Sequence, residues 1–316
     1  MSVAVGLFVY GVVVAVVAPR ALPRLTRHGL VPHLGVVAWL TLMASVLGSW
    51  AVAVGLGVAD AAHSWLHADR LVADGLHEAE VIASGHEGLG AQVALLVVTA
   101  ALALLAVVLG VRLARLQLRM RLRAREHADA LRLTGRKVHR DAVADLVLLE
   151  SEERAAYCVA GSPSVVVVTS GAVAALRGPE LAAVLAHEHA HLERRHPLLL
   201  TVTRGLATTF GRLRLFTVGA REVARLLEMC ADDAAVRRHG RAPLLSGLLA
   251  LSGVAPAGAL AASGADVLAR AERLVAPRRA RRLRRTRMGL LTGIGVAVMG
   301  PLLIVGAASG VLICLL

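Results

Sequence analysis

Aromatic side chains are almost missing from this chain, making up 3% of its 316 residues. A surface that binds single-stranded nucleic acid by base stacking interleaves aromatics with its cations. The formal charge of +13 therefore points elsewhere, and no direct nucleic-acid partner is expected. Lysine is scarcer still: Lys137 stands alone, and the remaining Lys/Arg positions are all arginine. With abundant Ala, Val, Leu and Gly, that bias suggests a GC-rich bacterial genome. Only three cysteines occur, Cys158, Cys230 and Cys314, in no paired spacing. A disulfide framework is not expected, as suits a reducing cytoplasm.

What is present in excess is apolar: 57% hydrophobic residues and a mean hydropathy of +0.67. The excess is clustered into stretches long enough to cross a bilayer, which sets the class as a polytopic membrane protein. Four spans are readable, at about residues 3–18, 34–59, 91–111 and 288–316. The third has 21 uncharged residues, about 31 Å of helix, which matches a bilayer core. The first is a poor signal peptide, since no basic residue precedes it and Pro19 follows its small-residue end.

Arginines flank these spans, three in residues 20–27, six in 112–125 and seven in 278–287. Such flanks mark the cytoplasmic side. The stretch 60–90 instead carries Asp60, Asp69, Asp74, Glu78, Glu80 and Glu87 against a single Arg70, and reads as extracytoplasmic. The expectation is a cell-membrane protein with both termini outside and residues 112–287 inside. Its domains are residues 1–114, three spans; 115–287, a cytoplasmic domain; and 288–316, a fourth span.

The cytoplasmic segment begins as a basic helix over about 112–127. Strand-like runs follow at 146–150, 155–160 and 165–169, rich in β-branched residues and separated by Ser, Gly and Pro. Gly178-Pro179 opens a helix that reaches about His196 and halts at Pro197. Two further helices are expected over 198–216 and 219–240, whereas the Ala- and Gly-rich 255–276 predicts little.

The chemistry concentrates in Leu185-Ala-His-Glu-His-Ala-His-Leu192. His187 and His191 are four apart, so on a helix both rings project from nearly one face. Each can give one nitrogen to a tetrahedral zinc at about 2.0–2.1 Å. Glu188 follows the first ligand and suits a general base that takes a proton from the attacking water. The upstream Leu181–Ala186 stretch is apolar, and burying two histidines and a glutamate without partners would be costly. On a strand, His187, His189 and His191 would share a face; the Ala- and Leu-rich surroundings favour helix, which turns His189 away.

Thirty-seven residues after His191 comes Glu228-Met-Cys-Ala-Asp232, on a predicted helix. Glu228 is the candidate third zinc ligand, leaving a fourth position open as a catalytic site requires. Asp232, one turn later, is placed to accept the outer N–H of a zinc-binding histidine. A third-histidine pattern fails, because Arg194 and Pro197 occupy the Gly and His positions it needs. One zinc ion per chain is the expected cofactor.

Weaker candidates remain. Residues 165–168 form either an edge strand that pairs with an extended substrate or an internal strand. Arg237, Arg238 and His239 are weighed as oxyanion stabilisers against a solvated helix end. His63 and His67 have a metal-pair spacing but sit in a stretch that reads as a solvated amphipathic segment.

These residues carry a resemblance. The run from Leu181 to Pro197, followed by Glu228 and Asp232, is similar to the membrane gluzincins, and most of all to the BlaR/MecR-type signal-transducing peptidases. The resemblance implies a polytopic α-helical membrane protein of four transmembrane helices with a cytoplasmic α+β gluzincin-like zinc peptidase domain. It maps His187, His191 and Glu228 to zinc ligands, Glu188 to the catalytic carboxylate and Asp232 to the residue behind them. It implies a small winged-helix repressor of the BlaI/MecI type as substrate, with the lipid bilayer as the other partner. HtpX-type quality-control proteases share both motifs and offer an alternative, as does a zinc-stabilised receptor or scaffold without turnover. Two departures matter: no penicillin-binding sensor domain follows the last span, and no Ser-x-x-Lys exists, Thr134 standing three residues before Lys137. Acylation by β-lactams is therefore not expected.

Overall fold

The structure is a computed structural model of the chain and describes residues 2–73, 88–140, 144–252, 262–276 and 280–308. The chain divides into two compact units. One comprises Met1–Ala18, Leu40–Leu113 and Thr292–Leu316; the other comprises Pro19–Trp39 and Ala114–Leu291.

Long helices build the first unit: parts of α1 (Ser2–Thr26), α2 (Pro32–Ala73), α3 (Gly88–Thr134) and α10 (Ala280–Ala308). Among the described residues three stretches are long and apolar enough to cross a membrane, Val3–Thr26, Pro32–Ala59 and Ala280–Ala307. By length and composition these helices fit a membrane protein. The expected span at 91–111 lies within α3, with most of its side chains outside the described residues. Outward faces leave Phe8, Val13 and Leu302 exposed, which only a lipid-like solvent favours. Between helices a few polar groups provide the glue. Tyr10 Oη lies 3.0 Å from Ser45 Oγ, which donates to the Ala297 carbonyl at 2.6 Å.

The second unit is α+β. Among the described residues its four strands are β1 (Arg136–Arg140), β2 (Ala144–Leu149), β3 (Ala156–Val159) and β4 (Ser164–Thr169), in the order β1-β2-β4-β3. β2 pairs with β4 in parallel, and β1 and β3 close the ends antiparallel. Residues 165–168 are therefore internal, and the edge-strand alternative is corrected. The reason is visible in the residues: Val165, Val166, Val167 and Val168 are buried on both faces, as an uninterrupted apolar run requires. One face of the sheet meets Ala128 and Leu131 near the end of α3, which form a core with Val147, Val165 and Val167. The strand β1, sequence Arg-Lys-Val-His-Arg, was not anticipated, since its charge masks the β pattern and only one side of it is paired.

After the short α4 (Ser170–Ala175) come α5 (Gly178–Glu193), α6 (His196–Thr209), α7 (Arg214–His239), α8 (Arg241–Ser252) and α9 (Ala262–Val275). The α5 N-terminus is closed by Glu180, whose carboxylate accepts from the Arg177 backbone N–H at 2.9 Å. The helix expected to reach His196 stops at Glu193, and Arg195 takes the left-handed φ of 55°. Pro197 explains the break, because its ring would clash with the carbonyl four residues back, that of Glu193. The following helices are also divided differently, at the turn between Thr209 and Arg214 instead of near 217.

Candidate metal centre

Small residues bring the two decisive helices together. Ala183, Ala186 and Ala190 repeat along one stripe of α5 and meet Ala231, Ala234 and Ala235 of α7 in buried clusters. At Gly247 of α8 an added Cβ would stand 3.0 Å from Val184 Cγ2, so α8 also packs tightly on α5. This close approach sets the His187/His191 face of α5 opposite the Glu228/Asp232 face of α7.

The expected residues converge. Nε2 of His187 and Nε2 of His191 are 3.1 Å apart. Glu228 Oε2 lies 3.4 Å from His187 Nε2, and Oε1 lies 3.6 Å from His191 Nε2. Ligand atoms about 2.0–2.1 Å from a tetrahedral zinc are separated by roughly 3.3–3.4 Å along each edge. The three observed separations bracket that edge, so this donor set fits a zinc ion. His189 is not part of the cluster.

Electrostatics reinforce the fit. Burial opposes a charge on His187, but the nearby carboxylates of Asp232 and Glu228 outweigh it and lift its pKa to about 9. Burial likewise opposes ionisation of Glu228, yet its histidine neighbours pull it down to about 2. The site thus attracts positive charge, which a divalent ion satisfies. Burial pushes the Glu188 carboxyl up, as a proton acceptor working near neutrality requires.

Around the donors stands a supporting layer. Asp232 Oδ1 is 3.1 Å from His187 Nδ1, but off the ring N–H direction, so the contact is ionic more than an aligned hydrogen bond. His196 Nδ1 lies 3.0 Å from His191 Nδ1. A His191 that offers Nε2 to a metal carries its proton on Nδ1 and donates it to His196. That needs a neutral His196, and burial, with His191 and Arg194 adding to it, lowers its pKa to about 3. Arg270 of α9 reaches Asp232, Glu228 and His187 together, its Nη1 standing 3.2 Å from Glu228 Oε2. Cys158 on β3 and Glu188 line one cleft.

Sequence reasoning missed Arg270, His196 and Cys158. A signal for the first existed, since Arg270 and Arg273 share a helix face across from Asp232 and Asp233. Arg238 is held by Glu193 at 3.1 Å, and Arg237, Arg238 and His239 make no contact with the cluster among the described residues. They form a solvated helix end. His63 and His67 lie on α2 with side chains outside the described residues.

Two buried histidines and a part-buried glutamate on paired helices, with a carboxylate beside them, form a candidate metal site of the kind a metal-dependent hydrolase needs. Residues 114–223 match the model for peptidase family M48, a family of metallopeptidases. The match includes His187, Glu188 and His191 but stops short of Glu228 and Asp232, whose places rest on the geometry above. No curated protein matches the sequence significantly.

Proposed function

We propose that the chain is an integral membrane zinc metalloendopeptidase with its site on the cytoplasmic side. The observation that carries this reading is the convergence of His187, His191 and Glu228, the last two lining with Glu188 a cleft of about 350 Å³. Tyr157 and Cys158 of β3 line the same cleft. β3 ends the sheet among the described residues, so an extended peptide adding to it as a further strand would run past Glu188.

His187, His191 and Glu228 would hold the zinc, which when bound polarises the scissile carbonyl and acidifies water. Glu188 takes the proton of the attacking water on its carboxylate and delivers it to the departing amine. His196 and Asp232 hold the imidazoles in the tautomer that frees Nε2.

The proposed substrate is a cytosolic winged-helix repressor of the BlaI/MecI type, a reading that rests on the BlaR/MecR-type resemblance and the arginine-rich flanks. The deciding experiment co-expresses the full chain, or its Glu188→Gln variant, with such a repressor encoded beside it. Cleavage by wild type alone supports the regulatory reading. Broad cleavage of unrelated unfolded membrane proteins supports quality control. Stoichiometric zinc without any proteolysis sinks the enzyme reading and leaves a scaffold.

A further inference from the structure

Apart from the metal cluster, one cavity of about 490 Å³ is rich in cations. Arg27, His28, Arg273 and Arg282 line it, with Glu272 as the carboxylate among them and Met229 on its wall. Arg273 is the built part. Its side chain is only 7% exposed. Nε donates to the Gly29 carbonyl at 2.8 Å and Nη2 to Asp233 Oδ2 at 2.7 Å. Nη1 is buried and has no acceptor. Buried guanidinium nitrogens are rarely left so, because the lost hydration is not replaced.

The backbone has been shaped around this side chain. Gly29 adopts φ +54°, and a Cβ there would come 2.1 Å from Met229 Sδ and 3.1 Å from Arg273 Cδ. Arg225 holds the preceding turn, donating to the carbonyls of Thr26 at 3.0 Å and Arg27 at 3.2 Å. The cavity is also electropositive: after burial, Arg27 and Arg282 are what depress the His28 pKa.

We propose that this cavity binds a phosphate-bearing anion, with the Arg273 guanidinium on its wall and Arg27 and Arg282 as its outer donors. Guanidinium groups suit phosphate oxygens through directed, charge-assisted hydrogen bonds. The first candidate span ends at Thr26 and the last begins at Ala280, so along the chain the outer arginines sit at the heads of two spans. A lipid headgroup is the favoured source; free phosphate is the other. The inference is independent of the peptidase reading, because its test reads binding.

Native mass spectrometry of the detergent-solubilised full-length protein provides that test. The probes are phosphatidylglycerol, a diacylglycerol with the same chains as headgroup-free control, and inorganic phosphate. Arg273→Ala removes ties to Gly29 and Asp233 and endangers the fold, so the rim variant Arg27→Ala/Arg282→Ala carries the comparison. Saturable retention of phosphatidylglycerol over diacylglycerol, weakened at least about tenfold in the rim variant, establishes a headgroup site. Saturable inorganic phosphate binding lost in that variant, without lipid preference, establishes the same site for free phosphate. Absence of binding by both phosphate probes, or equal binding by wild type and rim variant, overturns the proposal.

Discussion

Arg270 grips Asp232 through two hydrogen bonds, Nε to Oδ2 at 2.9 Å and Nη2 to Oδ1 at 2.6 Å. Asp232 is fully buried and in turn stands against His187, so a helix outside the metal-ligand pair controls how one ligand is held. Removing the guanidinium has two opposed effects. It relieves repulsion toward a divalent ion, and it leaves a buried carboxylate unpaired and free to turn.

The second effect should dominate, because the pair is bidentate and buried. Arg270→Ala is expected to weaken zinc binding by about 10–100-fold, the usual cost of losing a residue behind a metal ligand. Arg270→Lys keeps the charge without the fork and should fall between. Zinc titration against a competing chelator reads the effect apart from turnover, and thermal unfolding reports any loss of fold. Unchanged affinity in Arg270→Ala would remove its positioning role.

Glu188→Gln should leave zinc stoichiometry intact while peptide hydrolysis falls by roughly 10²–10⁴-fold, the range for a lost general base. Glu188 lines the cleft but is not among the three converging donors, so metal and turnover should separate. Elemental analysis and a fluorogenic peptide assay on one preparation test both halves. Near-normal turnover would leave Glu188 without its assigned role.

Glu228→Ala should fail differently, losing metal and activity together. Its carboxylate spans both histidines, at 3.4 and 3.6 Å, and is the sole acidic donor of the triad. Excess zinc should recover part of the activity in Glu228→Asp, whose shorter side chain keeps the donor type. Full zinc occupancy in Glu228→Ala at micromolar free zinc would exclude it as the third ligand.

Much of this centre was legible because its information is local. His187 and His191 are fixed in relation by helical pitch, and so are Glu228 and Asp232. Long-range partners carry no such spacing: Arg270 lies 38 residues beyond Asp232, in a stretch whose composition predicted little. The same distinction governs the fold. Val165–Val168 declared a buried strand, but whether it lay at an edge depended on β3 pairing outside it. β1 was invisible because a charged edge strand is held by backbone pairing and not by apolar alternation. The α5 terminus was misplaced by a few residues because a proline acts on the carbonyl four positions earlier as well as at its own site.

Glu180 supplies a test of the scaffold that does not involve the metal. Its carboxylate closes the start of α5, accepting from the Arg177 backbone at 2.9 Å and from Ser246 Oγ of α8 at 2.6 Å. Hydrogen bonds from Arg177, then Ser246, hold its pKa down at about 2, below the ordinary 4.5. A carboxyl depressed in the folded state is protonated first in the unfolded chain, so acid favours unfolding through this group. Its contribution is complete above about pH 4.5 and fades as the pH falls toward 2. Glu180→Gln should therefore melt below wild type at pH 7, and the gap should close progressively between pH 4.5 and 2 in zinc-free protein. Melting curves of the two proteins across that range measure it. A gap that stays constant into acid would mean that Glu180 acts by shape and neutral hydrogen bonding, not through its charge.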